Sequence, residues 1–396
     1  MRVILIVVCS LSIVHGYALS GQASAVIRTS PRLSHGIRLA AKAKKGGKKK
    51  TGGAKATKIS PKGFGARVAT PAGGKLLSES KYEALYEWLR TNPLTNLRKV
   101  AVAEFGGLRG VMALQDIGVG EEIVGIPATM AVDIGSDARD PLPAAQRLLA
   151  ARAAEVSPNY DPENYEDDES GSDERAAYWA TLPPPDSPDL CTPDFYSEEQ
   201  LNALQWPPMV EVAKQRALQL ENAIAASSQD ESCLQELRWA VWAVLSRVLT
   251  VQGPPDPGSF GGQPVGRKLL IPFIDMFNHK GGTKHYLTGR TDGMLRVVAG
   301  APIKAGEQIF IMYGTEMTSN EEFVAHYGFH DPSAPAAVAD RALVRSNVDH
   351  LSALGTTTEA EDAALLASQP PLSYVEQLPI RLRLSLKRAA REEGLL

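Results

Sequence analysis

Cysteine is scarce in this chain of 396 residues, and its few cysteines lie far apart. The three are Cys9, Cys191 and Cys233, and no two of them form a CxxC pair. Structural zinc sites and disulfide frameworks need cysteines at short, repeated spacings. The spacing therefore argues against both kinds of site. A hydrophobic content of 44% instead indicates a globular protein held together by an ordinary apolar core.

Acidic residues are absent from the first 78 residues, which contain 5 Arg and 10 Lys. The rest of the chain holds the other 27 of the 42 basic residues and all 45 acidic ones, so its net charge is −18. A strongly acidic body is a poor match for a phosphate backbone, whose binding depends on Lys and Arg. We therefore expect no nucleic-acid partner for the body.

The N-terminal apolar stretch, Val3–Val14, is shorter than the about 20 residues that a membrane-spanning helix needs. Arg2 precedes it and small residues follow, which is typical of a signal peptide over residues 1–16. Residues 17–75 are rich in Ser, Thr, Ala, Arg and Lys, resemble a transit peptide, and contain too few apolar residues to fold.

A signal peptide followed by a transit-like segment resembles the bipartite leaders that route proteins into plastids surrounded by extra membranes. We therefore expect the plastid stroma as the address, with no membrane association of the mature protein. Two alternatives remain open. The protein is secreted or endomembrane with a basic disordered arm, or the lysine-rich stretch is a nucleic-acid or histone-tail-like arm.

Motifs for phosphate and metal ions are also missing. Gly261–Gly266 contains a proline and is followed by Arg267, so it does not match a phosphate loop. His326 and His330 are four residues apart, a spacing that can bind a metal on a helix, but Gly328 lies between them and no third ligand is evident. We expect no metal site.

The body begins with a helical pattern and continues with short strands. Apolar residues in 78–92 recur at three and four positions, which predicts an amphipathic helix with Ser78 as its cap, ending near Pro93. Short runs separated by glycine predict strands from Val100 onward. The same texture returns later, and the strands it predicts are Lys268–Met276, Met294–Ala299 and Gln308–Tyr313.

The intervening segment is of a different kind. Residues 161–175 are acidic and lack large aliphatic side chains, which indicates a solvated loop. Ser197 and Gln200 form a capping-box pattern at the start of a helix. From Leu237 the chain is apolar almost all round, which predicts a buried helix.

A repeat flanks this helical segment. "ALQDIGVGEEI" (Ala113–Ile123) and "AGAPIKAGEQI" (Ala299–Ile309) share Ala, Ile, Gly, Glu and Ile at identical offsets. Each copy is interpreted as a strand, a Gly-Glu turn and a second strand, which makes two similar hairpins. This pattern favours one β-rich unit divided in sequence over two unrelated domains.

Four segments, in this order, resemble the motifs of SET-domain protein methyltransferases, more specifically the class of the Rubisco large-subunit lysine methyltransferase. They are "FGGLRGVMALQDIGVGEEIVGIP", "RWAVWAVLSRVL", "LLIPFIDMFNHK" and "GEQIFIMYGTEMTSNEEFVAHYGF". The likeness covers roughly residues 80–330. The turn Tyr313–Asn320 is longer than usual for the family, and the part after Phe329 is short.

The resemblance implies an α+β fold: short β-sheets with a pseudoknot-like crossing, split by a helical insert and followed by a short helical C-terminal region. The N-terminal helix and first SET half would occupy residues 76–132, and the helical insert with its acidic loop residues 133–262. The second SET half would occupy residues 263–330 and the C-terminal helices residues 331–396.

The resemblance also implies S-adenosylmethionine (SAM) as cofactor, with no metal, and it implies roles for individual residues. Tyr313 would be the catalytic residue, and Tyr327 and Phe329 would form the wall of the substrate channel. Asp275 is expected to bond backbone groups. The residues implied for cofactor binding are Gly107, Leu108, Arg109, Gly110, Arg247, Asn278 and His279.

The function that the resemblance implies is protein-lysine N-methylation of a stromal protein such as the Rubisco large subunit or plastid aldolase, by a monomeric enzyme. A protein-histidine N-methyltransferase of the same fold is one alternative. A catalytically silent SET module that binds protein is the other.

Overall fold

The protein is described here by a computed structural model that covers residues 74–136, 140–156, 175–227, 231–252, 266–289 and 292–396. The signal-peptide prediction, nearly all of the transit-like segment, nearly all of the acidic loop and the Gly-Pro-rich loop fall outside these residues. They stay predictions. In the described ranges, no helix is long and apolar enough to cross a membrane.

The strands of the described residues form three small sheets. The strands are β1 (Gly74–Leu76), β2 (Val100–Phe105), β3 (Leu108–Ala113), β4 (Glu122–Pro127), β5 (Val132–Ser136), β6 (Leu249–Gln252), β7 (Gly266–Leu270), β8 (Asn278–His279), β9 (Tyr286–Gly289), β10 (Met294–Val298) and β11 (Gln308–Ile311). The sheet orders are β1-β2-β3-β11-β8, β4-β10-β9 and β5-β7-β6. In the first sheet, β11 is antiparallel to β3 and parallel to β8. The closing strand therefore lies between strands from both sides of the helical segment.

The α-helices lie before β2, in the middle of the chain and at its end. They are α1 (Ser80–Thr91), α2 (Leu142–Val156), α3 (Ala176–Trp179), α4 (Glu198–Ala203), α5 (Pro207–Ser227), α6 (Glu231–Arg247), α7 (Asn320–Glu322), α8 (Ala334–Ser346), α9 (Leu351–Leu354), α10 (Glu359–Leu366) and α11 (Tyr374–Glu392). A π-helical turn, Phe323–Tyr327, follows α7. The predicted α+β class is confirmed.

Helix α1 buries the face that its periodicity predicts, with Tyr82, Leu85, Tyr86, Trp88 and Leu89 inside. The prediction of its cap was wrong. The N-cap is Glu79, one residue after the predicted Ser78, and no side chain forms a capping hydrogen bond. Instead, the backbone N–H of Val102 donates to the Tyr86 hydroxyl oxygen at 2.7 Å, which ties the helix to β2.

Capping boxes start several of the other helices. The predicted box at Ser197 and Gln200 is confirmed, with both reciprocal bonds present. The same device starts α7, α10 and α11, where the sequence analysis did not identify it. The predicted buried helix is α6, in which every residue from Trp239 to Leu245 is buried.

The interpretation of the repeat as two hairpins was wrong. β3 pairs with β2 and β11, whereas β4 pairs with β10, so neither copy folds back on itself. The copies bind each other instead. Ile117 and Ile303 exchange two backbone bonds of 2.9 and 3.0 Å. The flanking bonds are reciprocal too, because Gly120 donates to Ala299 and Gly306 donates to Ala113.

All three of the later predicted strands end earlier than predicted, Met294–Ala299 by a single residue. The run Lys268–Met276 is a strand only to Leu270, since Pro272 lacks a backbone N–H and Phe273 has a φ of +69°. A single 3₁₀ turn, Ile274–Met276, then leads into β8. The strand predicted to reach Tyr313 ends at Ile311, which leaves Tyr313 beyond the edge of the ladder.

The segment Gly306–Phe329, which carries the fourth motif, is called the closing segment here. The C-terminal helices α8–α11 pack both on it and on the helical segment, α2–α6. One buried cluster joins Trp206 of the helical segment, Val324 of the closing segment and Leu382 of α11. Beside it, the buried carboxylate of Asp362 accepts bonds from Arg383 and Lys387 at 2.6–2.8 Å. Helix α11 therefore holds α10 in place through charge and the rest of the molecule through apolar packing.

Candidate functional site

The turn between β2 and β3 exposes its backbone. Gly106 and Gly107 have φ values of +60° and +88°, a region that glycine adopts without strain, and nothing lies within 4 Å of where their side chains would start. Leu108 follows with a side chain 58% exposed. The backbone N–H and C=O groups of this turn are therefore not covered by side chains and can be approached closely by a bound molecule.

Gly110 is needed for a different reason. A Cβ there would collide with the Gln308 side chain and lie 3.0 Å from Asn278 Nδ2. Asn278 Nδ2 donates to the Arg109 carbonyl at 2.6 Å, which leaves its Oδ1 as an acceptor. The Arg109 guanidinium reaches the other way and donates to the Thr181 carbonyl of the helical segment at 2.9 Å.

Arg247 ends α6 beside the turn that precedes β8. Its Nη1 lies 3.4 Å from both the carbonyl and the Oδ2 of Asp275, and its guanidinium lies 5.1 Å from the Trp242 ring centre. Burial lowers the pKa of Arg247, as does the positive charge of Arg109, while Asp275 opposes the shift. The Arg247 Nε is buried and has no hydrogen-bond partner in the described structure.

The expectation for Asp275 was wrong. Its Oδ2 accepts from the Tyr178 hydroxyl at 3.1 Å and from Arg247, so its partners are side chains of the helical segment. Its Oδ1 is buried and has no hydrogen-bond partner among the described residues. Asp275 partly neutralises Arg247, and its long, incomplete bonds leave that neighbourhood underpaired.

His279 is held at both ring nitrogens. Its Nδ1 accepts the backbone N–H of Tyr313 at 2.9 Å, and its Nε2 lies 3.2 Å from Asp331 Oδ2. Burial lowers the pKa of His279, although Asp331 opposes the shift. A neutral ring with both nitrogens engaged is a poor general base.

The Tyr313 hydroxyl points toward the end of the 3₁₀ turn Ile274–Met276, which precedes β8. The hydroxyl donates to the Phe277 carbonyl at 2.5 Å, one residue before Asn278. Its ring lies 4.9 Å from that of Tyr327 and 6.2 Å from that of Phe329, measured between centroids. The Phe329 ring stacks on His279 at 5.5 Å. The predicted catalytic and channel residues thus form one aromatic cluster.

Several members of this neighbourhood were not predicted from the sequence. Phe323 stacks on Phe329 at 5.0 Å and lies 4.6 Å from His279. Gly328 has a φ of +70°, and its carbonyl accepts from Cys191 Sγ and from the Tyr374 hydroxyl. Cys191 and Tyr374 come from distant parts of the chain. Only Phe323 gave a local signal, as an aromatic in the motif that contains Tyr327 and Phe329.

The structure brings nearly all predicted site residues into one neighbourhood. Asn278 donates to the Arg109 carbonyl. Arg109 and Tyr313 both lie close enough to Arg247 to influence its pKa, which Arg109 lowers and Tyr313 raises. Leu108 stands apart, because its side chain faces outward. In the part of the chain that the structure describes, no three His, Cys, Asp or Glu residues are grouped as a metal site would require.

No protein-family model matches the chain. Among curated proteins, it is 38% identical over 108 residues to the actin-histidine N-methyltransferase of Gallus gallus, which is 27% of this chain and 17% of that protein. It is 33% identical over 161 residues to that of Xenopus tropicalis, or 38% of this chain and 26% of that protein. The chain thus matches only about a sixth to a quarter of the length of these relatives.

Solved structures resemble the chain over most of its length. A structure of Rubisco LSMT bound to AdoMet has a TM-score of 0.55 at 16% identity, over 80% of this chain and 91% of that one. The SET domain of LSMT bound to lysine and AdoHcy has a TM-score of 0.54 at 16% identity, over 80% and 90%.

Proposed function

We propose that this chain, which has the SET-domain fold of the Rubisco large-subunit methyltransferases, is a SAM-dependent protein N-methyltransferase. One observation carries the proposal. The Tyr313 hydroxyl, the aromatic wall of Tyr327 and Phe329, and the underpaired Arg247 lie in one neighbourhood around Asn278. A fold alone does not establish an activity, whereas this set of side chains supplies what methyl transfer needs.

The residues present fit SAM. The buried Arg247 Nε lacks a partner, and a second cation, Arg109, lies close enough to lower the pKa of Arg247, so a carboxylate would relieve both. Asn278 Oδ1 is suited to an ammonium group. The open glycine turn lets backbone groups approach closely. When bound, SAM supplies a methyl group on a sulfonium, an electrophile that needs no metal.

The aromatic cluster suits a lysine acceptor. A free lysine has a pKa of about 10.4, so at neutral pH its amine must lose a proton before it can attack. Desolvation between Tyr327 and Phe329 lowers that pKa, and the released proton passes to water. With SAM bound, the neutral amine would attack the methyl carbon, and the N–CH₃ bond would form as the S–CH₃ bond breaks.

In this mechanism Tyr313 positions the reacting groups and does not remove the proton from the amine. Because its hydroxyl proton is donated to the Phe277 carbonyl, the phenolic oxygen faces the site as an acceptor. It can align an amine N–H or make a weak contact with the methyl group. A tyrosine that keeps its proton is not the base.

The second candidate is protein-histidine N-methylation. It is supported by the stretch that is 33% identical to an actin-histidine N-methyltransferase over 161 residues. The two acceptors differ in what they ask of the site. A neutral imidazole needs no deprotonation before attack, so its rate would be less dependent on pH above about 7 than that of a lysine.

The test begins with SAM binding. Calorimetric titration of the purified protein should show saturable binding, and radiolabelled SAM with a stromal extract should label a discrete protein. Mass spectrometry of that protein would then place the methyl group on lysine or on histidine. Binding without transfer to any extract would favour the silent protein-binding module, and no binding would reject the methyltransferase proposal.

We also propose a plastid stromal address and a stromal protein as acceptor, supported by the leader composition of residues 1–75. A fluorescent protein fused after residue 75 should enter the plastids of a cell whose plastids have extra membranes. Secretion or retention in the endomembrane system would reject the address without touching the chemistry.

A further inference from the structure

The ring of His279 has a definite protonation pattern. Because Nδ1 accepts the backbone N–H of Tyr313, it cannot carry a hydrogen itself. A neutral ring must then carry its hydrogen on Nε2, which faces Asp331 Oδ2 at 3.2 Å. The His279 and Asp331 side chains are only 4% and 10% exposed, so water competes little for these bonds.

Asp331 is itself held in place from several sides. Ser333 donates its backbone N–H to Oδ1 at 3.0 Å and its hydroxyl to Oδ2 at 2.5 Å. The backbone N–H of Asp331 donates to Asn320 Oδ1 at 2.8 Å. The carboxylate therefore has one orientation, with Oδ2 aimed at His279.

The chain of bonds continues into the C-terminal helices. Asn320 donates its backbone N–H and its Nδ2 to the two oxygens of Asp340 in α8, at 2.7 and 2.8 Å. Asn320 and Asp340 are each 1% exposed. A buried polar path thus runs from α8 through Asn320, Asp331 and His279 to the backbone of Tyr313.

We propose that Asp331 is a positioning residue that fixes His279 in its Nε2–H tautomer and thereby fixes the backbone of Tyr313 in the site. With the other tautomer, the Tyr313 N–H would face an N–H and lose its acceptor. The same ring packs against Phe329 and Phe323, so its orientation also sets the channel wall. Only the catalytic consequence rests on the proposed function.

Nitrogen NMR of the full chain labelled with ¹⁵N-histidine tests the tautomer without any substrate. In the wild type, His279 should show a protonated Nε2 and an unprotonated Nδ1. Asp331→Ala should convert this pattern to a mixture of tautomers, whereas Asp331→Asn should keep it, since an amide oxygen can still accept from Nε2–H. Asp116→Ala, which removes an exposed carboxylate paired with Lys304, is the matched control and should change nothing.

Kinetics test the consequence once an acceptor is known. Asp331→Ala should lower kcat by roughly 10–100-fold, the scale of an ångström-sized misplacement, with SAM affinity unchanged and Asp331→Asn close to the wild type. A protonated Nδ1 in the wild type, or an unchanged tautomer in Asp331→Ala, would overturn the proposal. Should Asp331→Ala not fold, the wild-type spectrum and the Asn variant still decide. Failure to bind SAM would reject the methyltransferase while leaving the tautomer result intact.

Discussion

Tyr313 is the residue whose geometry says most about its role. Its hydroxyl donates to the Phe277 carbonyl, so Tyr313→Phe removes this hydrogen bond together with the phenolic oxygen that can accept one. We expect kcat to fall about 10- to 100-fold with SAM affinity nearly unchanged, because the cofactor side of the site is untouched. Single-turnover transfer from labelled SAM measures it. Methylation at the wild-type rate would remove Tyr313 from the mechanism.

Arg247 is expected to act on binding instead. Arg247→Ala removes the buried Nε that has no partner and leaves Asp275 without its cation. A lost hydrogen bond to a charged group costs about 1.5–3 kcal/mol, which corresponds to roughly a 10–100-fold weaker SAM affinity. Calorimetry measures this, with Arg267→Ala as the control, since that arginine forms an exposed pair with Asp133. Equal affinities in Arg247→Ala and wild type would show that its role is structural.

At this scale, the sequence predicted the motif residues but not their partners. Asn278, His279, Tyr313, Tyr327 and Phe329 are recognisable because the family motifs that contain them are local. Groups from far along the chain bond these motifs: Asp331 contacts His279, Tyr178 contacts Asp275, and Cys191 and Tyr374 donate to the Gly328 carbonyl. No spacing rule connects such residues, so a three-dimensional structure is needed to find them.

Among the elements, the turn after the π-helical segment is the most constrained. Gly328 has a φ of +70°, and a Cβ there would lie 2.6 Å from Cys191 Sγ. Gly328→Ala should therefore lower the free energy of unfolding by more than the about 1–2 kcal/mol of left-handed strain alone. Urea denaturation measures it.

The chain offers a matched control for this turn. Gly394 also has a φ of +70°, but nothing lies within 4 Å of its missing side chain, so Gly394→Ala reports the strain without the collision. Adding Cys191→Ala to Gly328→Ala should restore part of the loss. Equal losses for the two glycine variants would show that Cys191 does not constrain the turn.

Helices α10 and α11 depend on a buried charge cluster. Burial acts to raise the pKa of Asp362, but the bonds from Arg383 and Lys387 outweigh it and hold the pKa below its ordinary value. Asp362→Ala leaves two cations buried and unpaired, and should cost about 3–5 kcal/mol. In the wild type, the carboxylate's contribution is present above its unfolded pKa of about 3.9 and is lost as the pH falls further.

Denaturant titration of Asp362→Ala beside Glu359→Ala separates burial from charge. Glu359 lies in the same helix and pairs with the exposed Arg391, so its loss should cost about 1 kcal/mol or less. A similar small cost for both variants would contradict a stabilising role for the cluster.

The element predictions succeeded where the pattern was local and failed where pairing was long-range. The periodicity of α1 and α6 and the box at Ser197 are short-range signals, and all three were confirmed. The two copies of the repeat were identified correctly as similar, but their similarity carried no information on which strands they pair with. Hydrogen bonds across about 180 residues decided that, and the hairpin interpretation was wrong.

At the scale of the whole molecule, the closing segment packs between the helical segment and the C-terminal helices. There, burial raises the pKa of Glu321 to about 7, although a bond from the Trp206 ring N–H opposes the shift. A carboxyl whose folded pKa lies above its unfolded value favours folding when protonated. The contribution of Glu321 to the free energy of unfolding should therefore fall as the pH rises from about 4.5 through about 7.

Glu321→Gln should flatten that dependence, because an amide keeps an acceptor for Trp206 but does not ionise. Urea denaturation between pH 5 and about 8 measures the slope. Glu316→Gln, an exposed change in the same segment, should leave the slope as in the wild type. Parallel profiles for wild type and Glu321→Gln would assign the dependence to neighbours such as Glu322 and Asp340, whose pKa values burial also raises.

The SET-domain fold itself was predicted correctly, because four motifs in a fixed order constrain the topology more than any one of them does. The acceptor was not predictable in the same way. The helical segment and the C-terminal helices offer composition and periodicity but no motif that would identify an acceptor.

The reciprocal crossing of the two repeats has a consequence for biosynthesis. Ala113 and Ile117 have their backbone partners at Gly306 and Ile303, about 190 residues later. A ribosome adding about 5–20 residues per second needs roughly 10–40 seconds to cover that distance. Until then β3 and β4 have unpaired edges, of the kind that drive aggregation. We therefore expect the nascent chain to expose these strand edges for longer than its size alone would suggest.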